Sequence, residues 1–139
     1  MAITFLQPSD LNTDHFEIKK GKVCAKRTPS KYTLNWASSQ EWFTSNNAVD
    51  YNNANRRYLQ VVNGIGKFHM DFKPVKDITS ARAVFTLPAG CPKPDDLVEV
   101  QTHDGGSIWI TANSASVQCN GLKANTRYIV DLLAFFPDA

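Results

Sequence analysis

The sequence has few cysteines and no pattern that would pair them. Its three cysteines, Cys24, Cys91 and Cys119, are odd in number and include no Cys-x-x-Cys motif. We therefore expect no disulfide framework, and free, partly buried thiols fit a protein made in a reducing cytosol. The position of Cys91 between Gly90 and Pro92 allows exposure, but the sequence shows no neighbouring base or cation that would activate it as a nucleophile.

Long apolar runs are also missing. No stretch approaches the ~18 consecutive apolar residues that a membrane span needs. The first residues, MAITFLQPSDLNTD, lack the basic and long apolar regions of a secretory signal. We expect neither membrane insertion nor secretion by a signal peptide.

Charge of one sign does not dominate the whole chain. The net charge is +2, which is weak for a nucleic-acid-binding protein, and the sequence contains no RNA-binding signature. We expect no nucleic-acid partner. The basic residues concentrate between Lys19 and Lys31, where we expect lysines to cover the solvent side and edge of a hairpin.

Enzymatic motifs are lacking as well. The sequence contains no His-Glu-x-x-His, no Gly-x-Ser-x-Gly, no phosphate-binding loop and no dinucleotide fingerprint. The adjacent acids Asp95 and Asp96 would point in different directions, which does not suit a glycosidase pair. The acidic and amide side chains at 50–55 lack the closing Glu of an EF-hand calcium loop. We expect no catalysis, no cofactor and no metal.

Short alternating segments separated by turn signals make up most of the chain. They predict about nine or ten strands and no long helix. Lys20-Gly21 and Asn63-Gly64 are predicted hairpin turns, because these pairs tolerate positive φ. We expect an all-β fold, a single antiparallel β-sandwich or jelly-roll-like domain over residues 15–139 that follows an extended arm at 1–14.

Two strands carry particular expectations. The strand at 65–73 should bury one face and wet the other; the expected buried residues are Phe68, Met70 and Phe72, and the expected wet residues are Lys67, His69, Asp71 and Lys73. The last strand, RYIVDLLAFF, is apolar on both faces. Either it is the central strand of the sandwich, or one of its faces packs against another subunit.

The segment from Phe85 to Cys119 carries a resemblance to a known family. It contains a Pro/Gly corner and then a hairpin; the corner is Leu87, Pro88, Gly90 and either Pro92 or Pro94, and the hairpin is Gly106, Ile108, Ile110 and Val117. This order resembles the C-terminal head domains, receptor-binding in type, of phage tail and baseplate proteins from Gram-positive hosts. The resemblance covers roughly residues 58–136. It implies a homotrimer located in the virion, made in the host cytoplasm and in contact with other baseplate or tail proteins.

The loop at 37–57 is the main candidate for ligand contact, because long loops in compact domains are often functional. It combines aromatic rings that stack on sugars with amide and guanidinium hydrogen-bonding groups. The candidate saccharide-binding residues are Trp42, Tyr51, Asn52, Asn53, Arg56, Arg57, His103 and Asp104. Trp36 and Trp109 are expected in the core, as large aromatics usually are.

These features lead to one functional expectation and two alternatives. The chain is expected to be a phage tail or baseplate head module that mediates adhesion to a host cell-surface or cell-wall saccharide without catalysis. The first alternative is a structural protein of the virion, in the baseplate, tail or capsid decoration, with no ligand. The second is a cellular carbohydrate-binding module.

Overall fold

The computed structural model describes residues 16–25, 29–37, 42–43, 51 and 53–137. These residues form eleven β-strands and a short 3-10 helix over Ala54–Arg56, and none of them lies in an α-helix. The predicted arm at 1–14 lies outside the described residues. No helix in the described part of the chain is long and apolar enough to cross a membrane.

The strands are short and follow one another closely. In chain order they are β1 (Phe16–Lys19), β2 (Lys22–Ala25), β3 (Ser30–Thr33), β4 (Asn35–Trp36), β5 (Arg57–Val62), β6 (Ile65–Phe72), β7 (Arg82–Thr86), β8 (Val98–Gln101), β9 (Ser107–Ile110), β10 (Ser116–Asn120) and β11 (Tyr128–Phe135).

Two antiparallel sheets form the body of the molecule. The order is β4-β7-β10-β9-β8 in the five-stranded sheet and β11-β6-β5-β3 in the four-stranded sheet. Their inner faces share one apolar core, in which the Phe72 ring lies edge-on to Phe85 with centroids 5.6 Å apart. The expected all-β class and sandwich character are confirmed. β1 and β2 pair with each other as a separate hairpin.

The two predicted hairpin turns are present. Lys20 and Gly21 have φ of 52° and 76°, and Asn63 and Gly64 have the same values. Positive φ at both central positions is the type I′ geometry, whose twist matches that of the strands it joins. Local turn chemistry therefore fixes the registers of β1–β2 and β5–β6.

The buried face of β6 follows the prediction, and the predicted wet face follows it in part. Phe68, Met70 and Phe72 are buried and Lys67 is exposed, whereas His69 and Lys73 are half-buried. Asp71 lies on the predicted wet face but is buried, with 4% of its surface exposed. The expectation of a wet Asp71 was wrong, because two arginines close over its carboxylate.

β11 is an edge strand of the four-stranded sheet, so it is not the central strand of the sandwich. Its only strand neighbour among the described residues is β6, in register from Tyr128 opposite Phe72 to Phe135 opposite Ile65. The outer face exposes Ile129, Leu133 and Phe135 by 56%, 72% and 69%. Of the two expectations for this strand, burial at the centre of the sheet was wrong.

Two of the three thiols are free and buried. Cys91 is buried, so the exposure that its position between Gly90 and Pro92 allows does not occur. Burial raises the pKa of Cys91 to about 11, and it raises the pKa of Cys119 to about 12 against the opposing charge of Arg82. Both thiols are therefore protonated and poorly nucleophilic at neutral pH. The Cys24 side chain lies outside the described residues.

Candidate functional site

Trp109 stands on the outer face of the five-stranded sheet. In β9 the residues Ile108 and Ile110 are buried, and successive side chains of a strand point to opposite faces, so Trp109 points outward. Its side chain is half-buried, which places the indole at the protein surface. The expectation that Trp109 fills the core was wrong, whereas Trp36 packs against the core ring of Phe85 with centroids 4.7 Å apart.

Polar side chains surround Trp109 in two cross-strand rows. In the first row Trp109 lies between Glu99 of β8 and Gln118 of β10. In the second row Ser107 lies between Gln101 and Asn120. Directly opposed residues on one face have Cβ atoms about 5 Å apart, so the six side chains form one continuous surface. We call this surface the Trp109 patch; it consists of Glu99, Gln101, Ser107, Trp109, Gln118 and Asn120.

The Trp109 patch has an apolar ring and both kinds of hydrogen-bonding group. Glu99 offers carboxylate oxygens, and the Gln101 amide donates to one of them at 3.0 Å. Gln118 adds an amide with two donors and an acceptor, and the indole N–H is a further donor. Among the described residues, no aromatic ring or cation lies against Trp109. A flat ring edged by amides and one carboxylate can stack on a sugar ring and hydrogen-bond its hydroxyls.

The turn between β8 and β9 adjoins the patch and contains two of the predicted site residues. Asp104 accepts hydrogen bonds from the Thr102 hydroxyl at 2.7 Å and the Tyr128 hydroxyl at 2.7 Å. The hydrogen bond from Thr102, followed by that from Tyr128, lowers the pKa of Asp104. Asp104 therefore holds the turn, while His103 is exposed with its ring 5.5 Å from that of Tyr128. Of the two residues, His103 is the more exposed to solvent.

Tyr128 ties this turn to the opposite sheet. Its ring is buried, and its hydroxyl accepts a hydrogen bond from the Lys123 amide at 2.8 Å while donating to Asp104. Burial raises the pKa of Tyr128 to about 12, and the donated hydrogen bond to Asp104 acts in the same direction. The phenol stays protonated under physiological conditions and keeps the turn fixed beside the patch.

The two aromatic residues predicted in the long loop are engaged within the fold. Trp42 is half-buried, and its ring lies against two cations, the Arg82 guanidinium at 3.7 Å and the Lys76 ammonium at 4.5 Å. Tyr51 is buried, with 4% of its surface exposed. The Trp42 ring thus contacts two cationic side chains of its own chain, and the Tyr51 ring is not accessible to solvent.

The polar residues predicted in the same loop also have structural partners. The Asn53 side chain caps the 3-10 helix by accepting the Asn55 amide at 2.9 Å. Arg57 donates through Nε to the Leu34 carbonyl at 2.8 Å, and its guanidinium lies 5.7 Å from the Trp36 ring centroid. Asn52 lies outside the described residues.

Arg56 belongs to a charge cluster on the outer face of the four-stranded sheet. Arg127 donates to both oxygens of Asp71, at 2.9 and 2.8 Å, and Arg56 donates to one of them. Burial raises the pKa of Asp71, but the hydrogen bonds and positive charges of Arg127 and Arg56 outweigh it, so the net pKa lies below the ordinary value. We call these three residues the Asp71 cluster, and its contacts are those of a structural ion pair.

Tyr58 lies on the same sheet face as the Asp71 cluster, and other side chains of the chain pack against its ring. The Tyr58 ring stacks on His69 with centroids 5.1 Å apart, and the Lys31 ammonium lies 4.5 Å from the Tyr58 centroid. His69 in turn contacts the Asp131 carboxylate at 2.7 Å. Tyr58 therefore has its stacking partners within the chain, in contrast to Trp109.

The predicted site residues do not lie together in the structure, and the open polar surface around Trp109 consists mostly of residues that were not predicted. Trp42, Tyr51, Asn53, Arg56 and Arg57 have internal partners, and only the pair at 103–104 lies next to the open patch. Sequence reasoning missed Glu99, Gln101 and Gln118 because they fall in ordinary strands. The signal that could have found them is the alternation in SIWI, which turns Trp109 outward once Ile108 and Ile110 are assigned to the core.

The described residues hold no group of three or more His, Cys, Asp or Glu side chains that could bind a metal ion. The chain matches no protein-family model, no curated protein and no solved structure.

Proposed function

We propose that this chain is an adhesion module of a phage tail or baseplate that binds a host cell-surface saccharide through the Trp109 patch, without catalysis. One observation supports the ligand class above all others. Trp109 is a surface indole without an aromatic or cationic partner among the described residues, and it lies between a carboxylate and an amide.

The position of the patch suits binding to an extended polymer. Its six residues lie on three neighbouring strands of a sheet, so their spacing is set by backbone pairing. Sites on strands are held more rigidly than sites on loops, which lowers the entropic cost of binding. The affinity of one such shallow site is low, and presentation of several copies on one particle would raise the overall avidity.

The test is a binding screen with purified chain, using a glycan array and cell-wall polysaccharide from Gram-positive cells. We expect binding by the parent chain and about tenfold weaker binding by Trp109→Leu, since a lost stacking contact is worth roughly 1–2 kcal/mol. Glu99→Gln should also weaken binding, because it replaces a carboxylate acceptor while preserving side-chain volume.

Tyr58→Leu is the matched control. It removes an aromatic ring of similar size from the outer face of the other sheet, and we expect its binding to equal that of the parent chain. Circular dichroism of each variant is the control for correct folding. Equal binding by Trp109→Leu and the parent chain would refute the proposed site, and absence of binding to every glycan would refute the proposed function.

A structural role in virion assembly is the second candidate, and the exposed outer face of β11 favours it. Exposed apolar patches of a few hundred Å² on a soluble protein commonly mark interaction sites. A chain that binds no saccharide but is required for particle assembly would support this candidate.

A further inference from the structure

β11 has three features of an edge strand that can pair with a further strand. It is an eight-residue strand at the edge of the four-stranded sheet that the described residues form. Its outer face exposes Ile129, Leu133 and Phe135, with the exposed Ile65 of β6 directly opposite Phe135. Natural proteins protect long edge strands with charges, prolines or bulges, because unpaired backbone groups there accept another strand. β11 has one charged residue, Asp131, and no proline.

The core between the two sheets is also incompletely packed next to β11. A small apolar crevice opens between the two sheets where β8 and β11 lie at one flank of the sandwich, and its lining includes Val98, Val100 and Leu132. These three side chains are only half-buried. Both faces of β11 thus carry apolar side chains that the side chains of a neighbouring strand would contact from the side.

We propose that β11 pairs with β11 of a second copy of this chain, antiparallel and about a twofold axis at Leu132. The two four-stranded sheets then become one continuous eight-stranded sheet. A twofold axis is the commonest symmetry of protein oligomers and brings the same strand from each copy into contact. This pairing is independent of the proposed saccharide site, because it leaves the outer face of the five-stranded sheet open.

The side chains favour this register over the one centred on Asp131. With Leu132 on the axis, Ile129 lies opposite Phe135 of the second copy, which is an aromatic and β-branched cross-strand pair of the favourable kind. On the inner face Leu132 meets Leu132 of the second copy, at the flank where the crevice opens. Shifting the axis to Asp131 would place the two Asp131 carboxylates opposite each other, and directly opposed like charges destabilise a strand pair.

The same register is electrostatically complementary. Asp131, whose carboxylate also contacts His69 of its own chain at 2.7 Å, lies opposite Leu133 of the second copy, and Leu133 is paired within its own chain with Lys67. Lys67 and Asp131 of different copies are then two strands apart, about 10 Å between backbones. A lysine whose stem lies along the intervening leucine can reach across that distance. The twofold axis creates this contact twice.

Light scattering over a concentration series tests the pairing directly. We expect the parent chain to reach the mass of two 15.5 kDa chains. Leu133→Glu should be monomeric, because it places a carboxylate opposite Asp131 of the second copy. Thr111→Glu adds the same charge at an exposed position outside the proposed contact and should remain a dimer. A parent chain that stays monomeric, or that forms the trimer implied by the phage resemblance, would overturn the proposal.

A charge exchange tests the register and separates it from effects on folding. Lys67→Glu and Asp131→Lys should each weaken the homodimer about tenfold or more, equivalent to about 1.4 kcal/mol, because each puts like charges in the two symmetry-related contacts. An equimolar mixture of these variants should restore the dimer, since the two chains then have complementary charges. A mixture that dimerises no better than its separate components would contradict the register.

Discussion

At the scale of single residues, the strongest polar contacts have internal roles. Asp71 is the one buried acidic or basic side chain identified in the described part of the chain, and two guanidiniums hold its carboxylate on a sheet face that would otherwise be wet. A buried carboxylate is tolerated when its partners donate hydrogen bonds and compensating charge. The Asp71 cluster therefore links β6 to the 3-10 helix and to Arg127, the residue that precedes β11.

Asp71→Asn tests this role through the pH dependence of stability. The folded-state pKa of Asp71 lies below its ordinary value of 3.8, so the ionised group stabilises the fold above that pH. This contribution is lost as the pH falls through the folded-state pKa. We expect Asp71→Asn to cost about 1.5–3 kcal/mol at neutral pH and to lose less stability than the parent chain on acidification.

Urea unfolding at a series of pH values measures both effects. Asp95→Asn removes an exposed carboxylate and should leave the acid dependence as it is in the parent chain. If Asp71→Asn and the parent chain lost stability in parallel on acidification, Asp71 would not be the stabilising group described here.

The cluster also shows what the sequence could not predict at this scale. Alternation assigned Asp71 correctly to the outer face of β6, because that assignment depends only on neighbours in the chain. Its burial depends on Arg127, which lies 56 positions away in the sequence. A pattern along one strand contains no information about which side chain from a distant part of the chain covers it.

At the scale of elements, close packing at the end of β6 explains a glycine inside a strand. Gly66 is buried, and a Cβ atom there would lie 2.4 Å from Cδ2 of Phe136 and 2.8 Å from Cδ1 of Leu59. Phe136 follows β11 directly, and its amide donates to the Gly64 carbonyl at 2.7 Å. The missing side chain allows the end of β11 to fold over the start of β6.

Gly66→Ala should therefore destabilise the protein by about 1–3 kcal/mol, the usual cost of overpacking a dense core. Chemical unfolding of the single variants, Gly66→Ala and Phe136→Leu, and of the double variant measures the effect. Because the smaller leucine relieves the clash, the double variant should be more stable than the sum of the two single changes predicts. Strict additivity would show that the two positions do not contact each other.

The elements themselves were largely predictable, and their arrangement was less so. Asn63-Gly64 and the alternation of Phe68, Met70 and Phe72 are local signals, and the structure reproduces both. β11 was apolar on both faces, which is compatible with a central strand or with an edge strand that binds a partner. Only the sheet order resolves this, because a sequence pattern reports how apolar a face is and not which strand lies beside it.

At the scale of the whole molecule, two surfaces remain open on different parts of the sandwich. The Trp109 patch lies on the outer face of the five-stranded sheet, and the β11 edge belongs to the four-stranded sheet. The sequence predicted an aromatic and amide surface for saccharide, but it placed that surface in the loop at 37–57. The described residues of that loop are engaged in cation contacts, a helix cap and backbone hydrogen bonds.

The most direct test of the saccharide site is amide and indole NMR of the chain during titration with Gram-positive cell-wall saccharide. The three tryptophans give three indole N–H signals, and variants assign them. We predict that the Trp109 indole and the Gln118 side-chain amide shift with saccharide concentration, while the indole signals of Trp36 and Trp42 stay in place. Shifts at Trp42 without shifts at Trp109 would return the site to the loop, and no shift at any of the three would contradict saccharide binding by this chain.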